Sequence, residues 1–265
     1  MAGFETRKAL QWSAFFVVWL FTGLAQADAC RMPEDDAVRV HSRTVFDGDT
    51  LELTDGRRVR LIGINAPEIG REGKASEPFA RAAEQRLQQL TRGKPLYLVP
   101  GEEPRDRYGR TLGHLFDAGG TNLEAQLLAE GLGFAIGVPP NLDMVQCHAA
   151  AEKAARTTGR GLWSGHPVIE ASRLERGGFQ IVRGTVRSAE KAGRFWWLAL
   201  DGQVVLRIPQ DDRNVLAGRD PSAMQGELVE ARGWVIDRRG QRSVNRGHQR
   251  FMLPVRHDSM LRNVE

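Results

Sequence analysis

The sequence predicts an α+β fold, mainly β with α, arranged as two domains, and three observations lead there. Short alternating runs bounded by Gly, Pro and Asp-Gly recur along the 265-residue chain. Three stretches of helical period interrupt them, all before Gly159. After about residue 166 the pattern turns purely β. A chain of this length supports two domains with a core each. Its content, 41% hydrophobic and 26% charged, excludes a disordered or fibrous protein. A net charge of +4 and a pI of about 9.4 favour an anionic partner, nucleic acid or a phospholipid surface, but only mildly.

The first 27 residues have the order of a secretory signal peptide. Arg7 and Lys8 precede an apolar run from Ala9 to Leu24, and Ala25-Gln26-Ala27 offers a small-residue cleavage site. Export to the periplasm or medium is therefore expected, with a soluble mature chain. Cys30 and Cys147 both lie beyond that cleavage point, and in an oxidising compartment an even pair reads as one disulfide. Acylation of Cys30 is a competing reading, although Ala27-Asp28-Ala29 lacks the large aliphatic residue of a lipoprotein signal. Two free buried thiols are a third.

The elements follow in order. A strand is expected from Ala37 to Asp47, then an alternating hairpin, Thr50–Leu53 and Arg58–Ile64, turning at Asp55-Gly56. A two-residue turn there pairs Leu51 with Arg60 and sets Asp49 diagonal to Arg60, roughly 7–8 Å apart at the backbone. A helix with Ser76 as cap and Pro78 in its first turn carries Phe79, Ala83, Leu87 and Leu90 on one face. Strands follow at Pro95–Val99 and Leu112–Phe116. Thr121-Asn122-Leu123-Glu124 fits a capping box opening a short helix to Gly131, and Asn141 caps a third helix that ends at Gly159. Gly161-Leu162-Trp163 then folds back as a lid. Strands at 179–187, 194–200, 203–208, 227–236 and 250–254, with turns at Asp201-Gly202 and Arg239-Gly240, suggest a small second barrel. The domains so divided are 37–166 and 176–258.

Three segments carry chemistry: Asp47-Gly48-Asp49-Thr50, Arg60 through Glu68, and Asp106-Arg107-Tyr108-Gly109-Arg110. They supply oxygen ligands for a hard cation, a spare carboxylate, and two guanidinium forks suited to phosphate. A metal, a base and two clamps are what phosphodiester hydrolysis needs, because charge must be neutralised while water loses a proton. The six histidines read as scattered, without metal-ligand spacing, and His114 as a packed or surface residue.

These segments, in this order, resemble the staphylococcal nuclease (thermonuclease-like) family over about residues 37–165. The resemblance includes Asn122-Leu123-Glu124-Ala125 and Gly161-Leu162-Trp163. It implies an OB-fold, a five-stranded barrel with three helices, and a Ca²⁺-dependent nuclease acting on DNA or RNA and leaving a 3′-phosphate. It also implies roles: Asp49, Asn65 and the Ala66 carbonyl on Ca²⁺, Asp47 behind them, Glu68 as base, Arg60 and Arg110 on the phosphate, and Tyr108 beside the substrate. Two departures stand out. Asn65 replaces an aspartate, which removes one negative charge from the cation site. Gly137-Val138-Pro139-Pro140 replaces a stretch that carries tyrosines. A module of the same fold that binds nucleic acid and has weak or no turnover is the alternative.

The second half offers Arg194-Phe195-Trp196-Trp197 and Trp234 among arginines, either a stacking platform or the filling of an OB-like core around Phe195, Leu198 and Val235. Adjacent Trp196 and Trp197 must point to opposite faces of a strand. This barrel is expected to fold on its own and to assist substrate binding.

Overall fold

The structure is a computed structural model describing residues 30–33, 35–210, 213–239 and 249–264. The signal segment 1–27 lies outside these residues, as does Gly240 of the second predicted turn.

In the first half, Val38–Val40 (β1) and Ser42–Val45 (β2) are separated only by His41. The strands Thr50–Leu53 (β3), Arg58–Leu61 (β4), Leu96–Arg105 (β6) and Thr111–Asp117 (β7) complete a sheet of order β1-β6-β7-β4-β3-β2. Because β1 and β2 are nearly one segment, bonding β6 with its first half and β3 with its second, the sheet curls shut into five strands. Ile64–Asn65 (β5) pairs separately with Phe134–Ala135 (β8). Three α-helices are found among the described residues: Ala80–Thr91 (α1), Leu123–Ala129 (α2) and Val145–Thr157 (α3). Leu51, Leu53, Leu61, Leu98 and Leu115 from the sheet meet Ala83, Leu87, Leu123 and Leu127 from the helices in one core. None of these helices is long and apolar enough to cross a membrane.

Several local expectations are corrected. The Asp55-Gly56 hairpin has a three-residue loop, with the Leu53 N–H donating to Arg57 O and Gly56 in the left-handed region at φ 86°. One extra loop residue shifts the register by one, so Arg60 faces Thr50 instead of Leu51. Phe79 adopts φ 65° and stays outside α1, exposed, while Ser76 accepts the Gly70 N–H in place of capping. The cap of α2 is Asn122, which accepts from Ala125 N, and Glu124 turns inward. Asn141 does not cap α3. Its amide exchanges two hydrogen bonds with the backbone of Glu103. Gly161–Gly165 forms a 3₁₀ turn that buries Trp163. Cys30 and Cys147 are joined as a disulfide, which fixes the N-terminal segment to α3.

The second half consists of Val168–Glu170 (β9), Gly178–Ala192 (β10), Phe195–Leu200 (β11), Val204–Pro209 (β12), Leu228–Asp237 (β13), Phe251–Pro254 (β14) and Leu261–Asn263 (β15). The ring β10-β11-β12-β14-β13 closes through β13–β10 pairing, so this is a barrel of five strands with β9 and β15 at its margins. Val182, Val186, Leu198, Leu206, Val229 and Leu253 fill it, and Trp196 packs on that core. Trp197 points the other way, with its indole N–H donating to Ala192 O (3.3 Å). Phe195 is not a core residue but lies under the Arg207 guanidinium.

Strand alternation on β13 sends Val229, Ala231 and Val235 into the barrel and Glu230, Arg232 and Trp234 out of it. Arg232 donates to both oxygens of Glu152 on α3 (2.8 and 2.6 Å) and to Ala135 O (3.0 Å). Glu230 is held by Arg156 of α3 and Arg262 of β15. Ile181 of β10 packs against Ala155 and Trp163. The two barrels thus share an ionic and apolar interface.

Glu152→Ala is expected to destabilise the chain by about 3–5 kcal/mol, since it strands a buried guanidinium, whereas Glu152→Leu with Arg232→Met recovers most of that loss. Thermal and denaturant unfolding of the three proteins checks this. Burial alone would raise the Glu230 carboxyl, but hydrogen bonds from Arg156 and Arg262 outweigh it and bring the pKa down to about 2 from 4.5. A depressed carboxylate stabilises the fold above its unfolded pKa, so this contribution is expected to fade as pH falls from about 4.5 to about 2. Stability measured against pH for the parent and Glu230→Gln shows it as a steeper acid loss in the parent.

Candidate active site

Asp47, Asp49, Arg60, Asn65, Glu68, Tyr108 and Arg110 all line one open cleft of about 990 Å³ on the first barrel. The local chain dictates this. Gly48 lets the Asp47–Thr50 turn press onto α1: an added Cβ would lie 2.5 Å from Ala83 Cβ and 2.7 Å from Ala66 Cβ. Asp47 Oδ1 accepts the Asp49 N–H (3.1 Å), which braces the turn from behind.

Asp49 is buried between β3 and β4. Its Oδ2 accepts from the Ala66 N–H (2.7 Å) and lies 3.1 Å from Arg60 Nη2, and its Oδ1 accepts from the Thr50 hydroxyl (3.0 Å). The corrected register creates this contact, because the Leu61 N–H donates to Asp49 O and brings Arg60 alongside. Burial raises the Asp49 pKa to about 6, Arg60 opposes this and Asp47 adds to it. Arg60 Nη1 also donates to Leu61 O and Ile64 O, so the guanidinium is held at the cleft wall.

Among the described residues no partner takes the Glu68 carboxylate, which stands at the cleft rim. Its pKa is raised by partial burial, then by the charges of Asp47 and Glu77, with Arg60 pulling the other way. The Glu68 N–H donates to Glu77 Oε2 (3.0 Å) and Glu77 N–H donates to Glu68 O (2.9 Å), which fixes the loop that bears the carboxylate. Arg110 is positioned by Asp106, a residue of the third motif to which the sequence assigned no role of its own. Asp106 accepts from the Tyr108 and Arg110 N–H groups through Oδ1 and from Arg110 Nε through Oδ2 (2.7 Å). Among the described residues no partner takes the Arg110 Nη groups, which are left to meet an anion. The Asp-x-x-Gly turn ending at Gly109 was the available signal for Asp106.

The donors in the cleft fit a hard divalent cation. Asp47, Asp49 and the Asn65 amide oxygen offer oxygen alone, whereas Ala66 is buried beside them and is not part of the cleft lining. Burial, and then the charge of Asp47, raise the Asp49 and Glu68 carboxyls, as in a site short of positive charge.

A second polar cluster corrects the reading of the histidines. His114, Glu124 and His148 offer ligand atoms within 4.8 Å of one another, all buried. His114 Nδ1 lies 3.0 Å from Glu124 Oε1, Asn122 Nδ2 donates to Glu124 Oε2 (3.1 Å), and His148 Nε2 lies 3.1 Å from Asn122 Oδ1. Burial, and then His114, lowers the His148 pKa to about 3. The ring is therefore neutral with its proton on Nε2, facing the Asn122 acceptor. Imidazole donors suit transition metals and not Ca²⁺. Residues 114, 124 and 148 meet only through the packing of β7, α2 and α3, which linear spacing does not display.

Known proteins resemble this chain over the first barrel. The family model described as staphylococcal nuclease homologue matches residues 58–165. The thermonuclease of Staphylococcus intermedius is 32% identical over 124 residues, covering 46% of this chain and 73% of that protein. An uncharacterized endonuclease of Escherichia coli O157:H7 is 32% identical over 133 residues, 47% of this chain and 78% of its own. The thermonuclease of Staphylococcus hyicus is 28% identical over 123 residues, 45% and 72% respectively. The second barrel lies beyond the segment that the family model matches. Likeness over most of the length of such enzymes, carried by the barrel that holds the cleft, shows that the chain belongs to the staphylococcal nuclease family and hydrolyses phosphodiester bonds.

Proposed function

We propose an exported, Ca²⁺-dependent nuclease in which Glu68 is the base and Arg60 and Arg110 clamp the scissile phosphate. One observation carries the reading: a single cleft gathers oxygen donors, a spare carboxylate with a raised pKa, and a guanidinium whose outer edge is free. Asp49, Asn65 and the Ala66 carbonyl would hold the cation, with Asp47 behind Asp49. When bound, Ca²⁺ supplies positive charge that lowers the pKa of water and neutralises the phosphate.

Glu68 takes a proton from the attacking water as its oxygen bonds to phosphorus. Arg110, oriented by Asp106, donates to the phosphate oxygens as charge builds on them. Arg60, which lies against Asp49 at the cleft wall, does the same. The P–O bond to the leaving sugar oxygen breaks, that oxygen takes a proton from solvent, and by family resemblance the phosphate stays on the 3′ side. Tyr108, exposed beside Arg110, contacts the substrate. Export is supported by the disulfide, which suits an oxidising compartment.

Cleavage of single- and double-stranded DNA and RNA by the mature chain, with and without chelator, tests the proposal, and activity that persists in chelator would overturn the metal requirement. Glu68→Gln is expected to reduce turnover by about 10²–10⁴ and Arg110→Ala by about 10²–10³, in proteins whose melting temperature is retained. A folded Glu68→Gln enzyme with parental rate excludes Glu68 as base. Asn65→Asp restores an anionic ligand and is expected to tighten Ca²⁺ binding. Equal or weaker affinity in calorimetry places Asn65 outside the coordination shell.

A further inference from the structure

Trp234 belongs to the second barrel, yet it stands in the cleft of the first, alongside Arg60, Glu68 and Arg110. We propose that Trp234 is a stacking platform for an unpaired nucleobase of the bound strand, so that the second barrel completes the substrate site of the first. This rests on the reading of the cleft given above. It extends that reading to a substrate class, a single-stranded or locally opened nucleic acid.

The position of the ring follows from the strand that bears it. Successive outward residues of β13 lie about 7 Å apart, at roughly 3.4 Å per residue. The first two, Glu230 and Arg232, are fixed by ion pairs to α3, and the third falls at the mouth of the cleft. The ring is also mounted from behind. Trp234 meets Phe179 edge-on at 5.4 Å, Phe179 stacks on Phe134 at 5.7 Å, and Phe134 meets the buried Trp163 at 5.5 Å. This aromatic row crosses from one barrel to the other and ends in the cleft.

A tryptophan that served only the interface would be covered by it. Trp234 is instead 45% exposed and takes no part in its own barrel's core. Tyr108, 69% exposed, shares the same cleft. Trp234 also lines an adjoining hollow of about 440 Å³ with Arg107 and Arg256. Arg256 has no carboxylate partner among the described residues. Aromatic rings set among guanidinium groups are what a strand of phosphates and bases requires. A base paired within a duplex has no free face to offer, which sets the preference for unpaired substrate.

The test uses the full mature chain, with an oligonucleotide that has one cleavable linkage and either bases or abasic sites beside it. Abasic replacement is expected to raise the parental KM roughly 5- to 100-fold. Trp234→Ala is expected to show that rise already on the base-bearing substrate, to be indifferent to abasic replacement, and to lose its preference for single strands. Trp234→Phe keeps a ring and is expected to retain most of the parental behaviour, which separates stacking from a fault in folding. A Trp234→Ala protein with parental KM, or one as sensitive to abasic sites as the parent, overturns the proposal. Turnover that survives Glu68→Gln would sink the reading of the catalytic cleft instead, whatever Trp234 does.

Discussion

The arrangement of the molecule depends on one buried ion pair, Glu152 with Arg232, closed around a single residue of β8. Glu152 accepts the Ala135 N–H at 2.8 Å while Arg232 donates to Ala135 O. Both polar groups of one β8 residue and the side chains of two domains are thus satisfied by one another. β8 in turn pairs with β5, whose Asn65 stands at the edge of the cleft. A low-dielectric pair of this kind is costly to form and costlier to break, so its geometry admits little slack. Substrate-facing loops of the first barrel and the outward face of β13 are set by the same contact.

The sequence displayed the elements of this fold more clearly than their joints. Alternation in Val38–Val45, Thr50–Leu53 and the five later strands is a local signal, and each lies close to where it was read. The hairpin at Asp55-Gly56 was misjudged because a dipeptide that favours tight turns also serves as the end of a three-residue loop. Ser76 and Asn141 have the chemistry of helix caps, but each spends its oxygen on a distant backbone N–H. The residues gathered in the cleft stand in three short motifs, so their candidacy was legible. Asp106, Glu77 and the His114–Glu124–His148 network depend on partners distant in sequence or on how a turn closes.

The second barrel is less separable than its sequence suggests. It has its own closed ring, and its core takes in Ile136 from the first half. Trp163, the lid of the first barrel, is covered in part by Ile181 and Phe179, and Arg156 shares Glu230 with Arg262. Cutting the chain near residue 170 would expose that apolar lid and leave Glu152 without its guanidinium. The first domain of this chain therefore cannot be treated as a smaller relative with an optional extension.

Helix α3 shows what this costs in freedom to vary. Cys147 holds the N-terminal segment, His148 joins the buried polar network, and Glu152 and Arg156 hold the second barrel. An α-helix turns about 100° per residue, so inserting or deleting one residue between 147 and 156 would swing some of these four positions away from their partners while leaving others in place. Point substitutions there can be compensated across each contact, but a change of length cannot. Length variation among descendants of this chain should fall in the segments on either side of α3, and the helix should act as a fixed ruler between its two barrels.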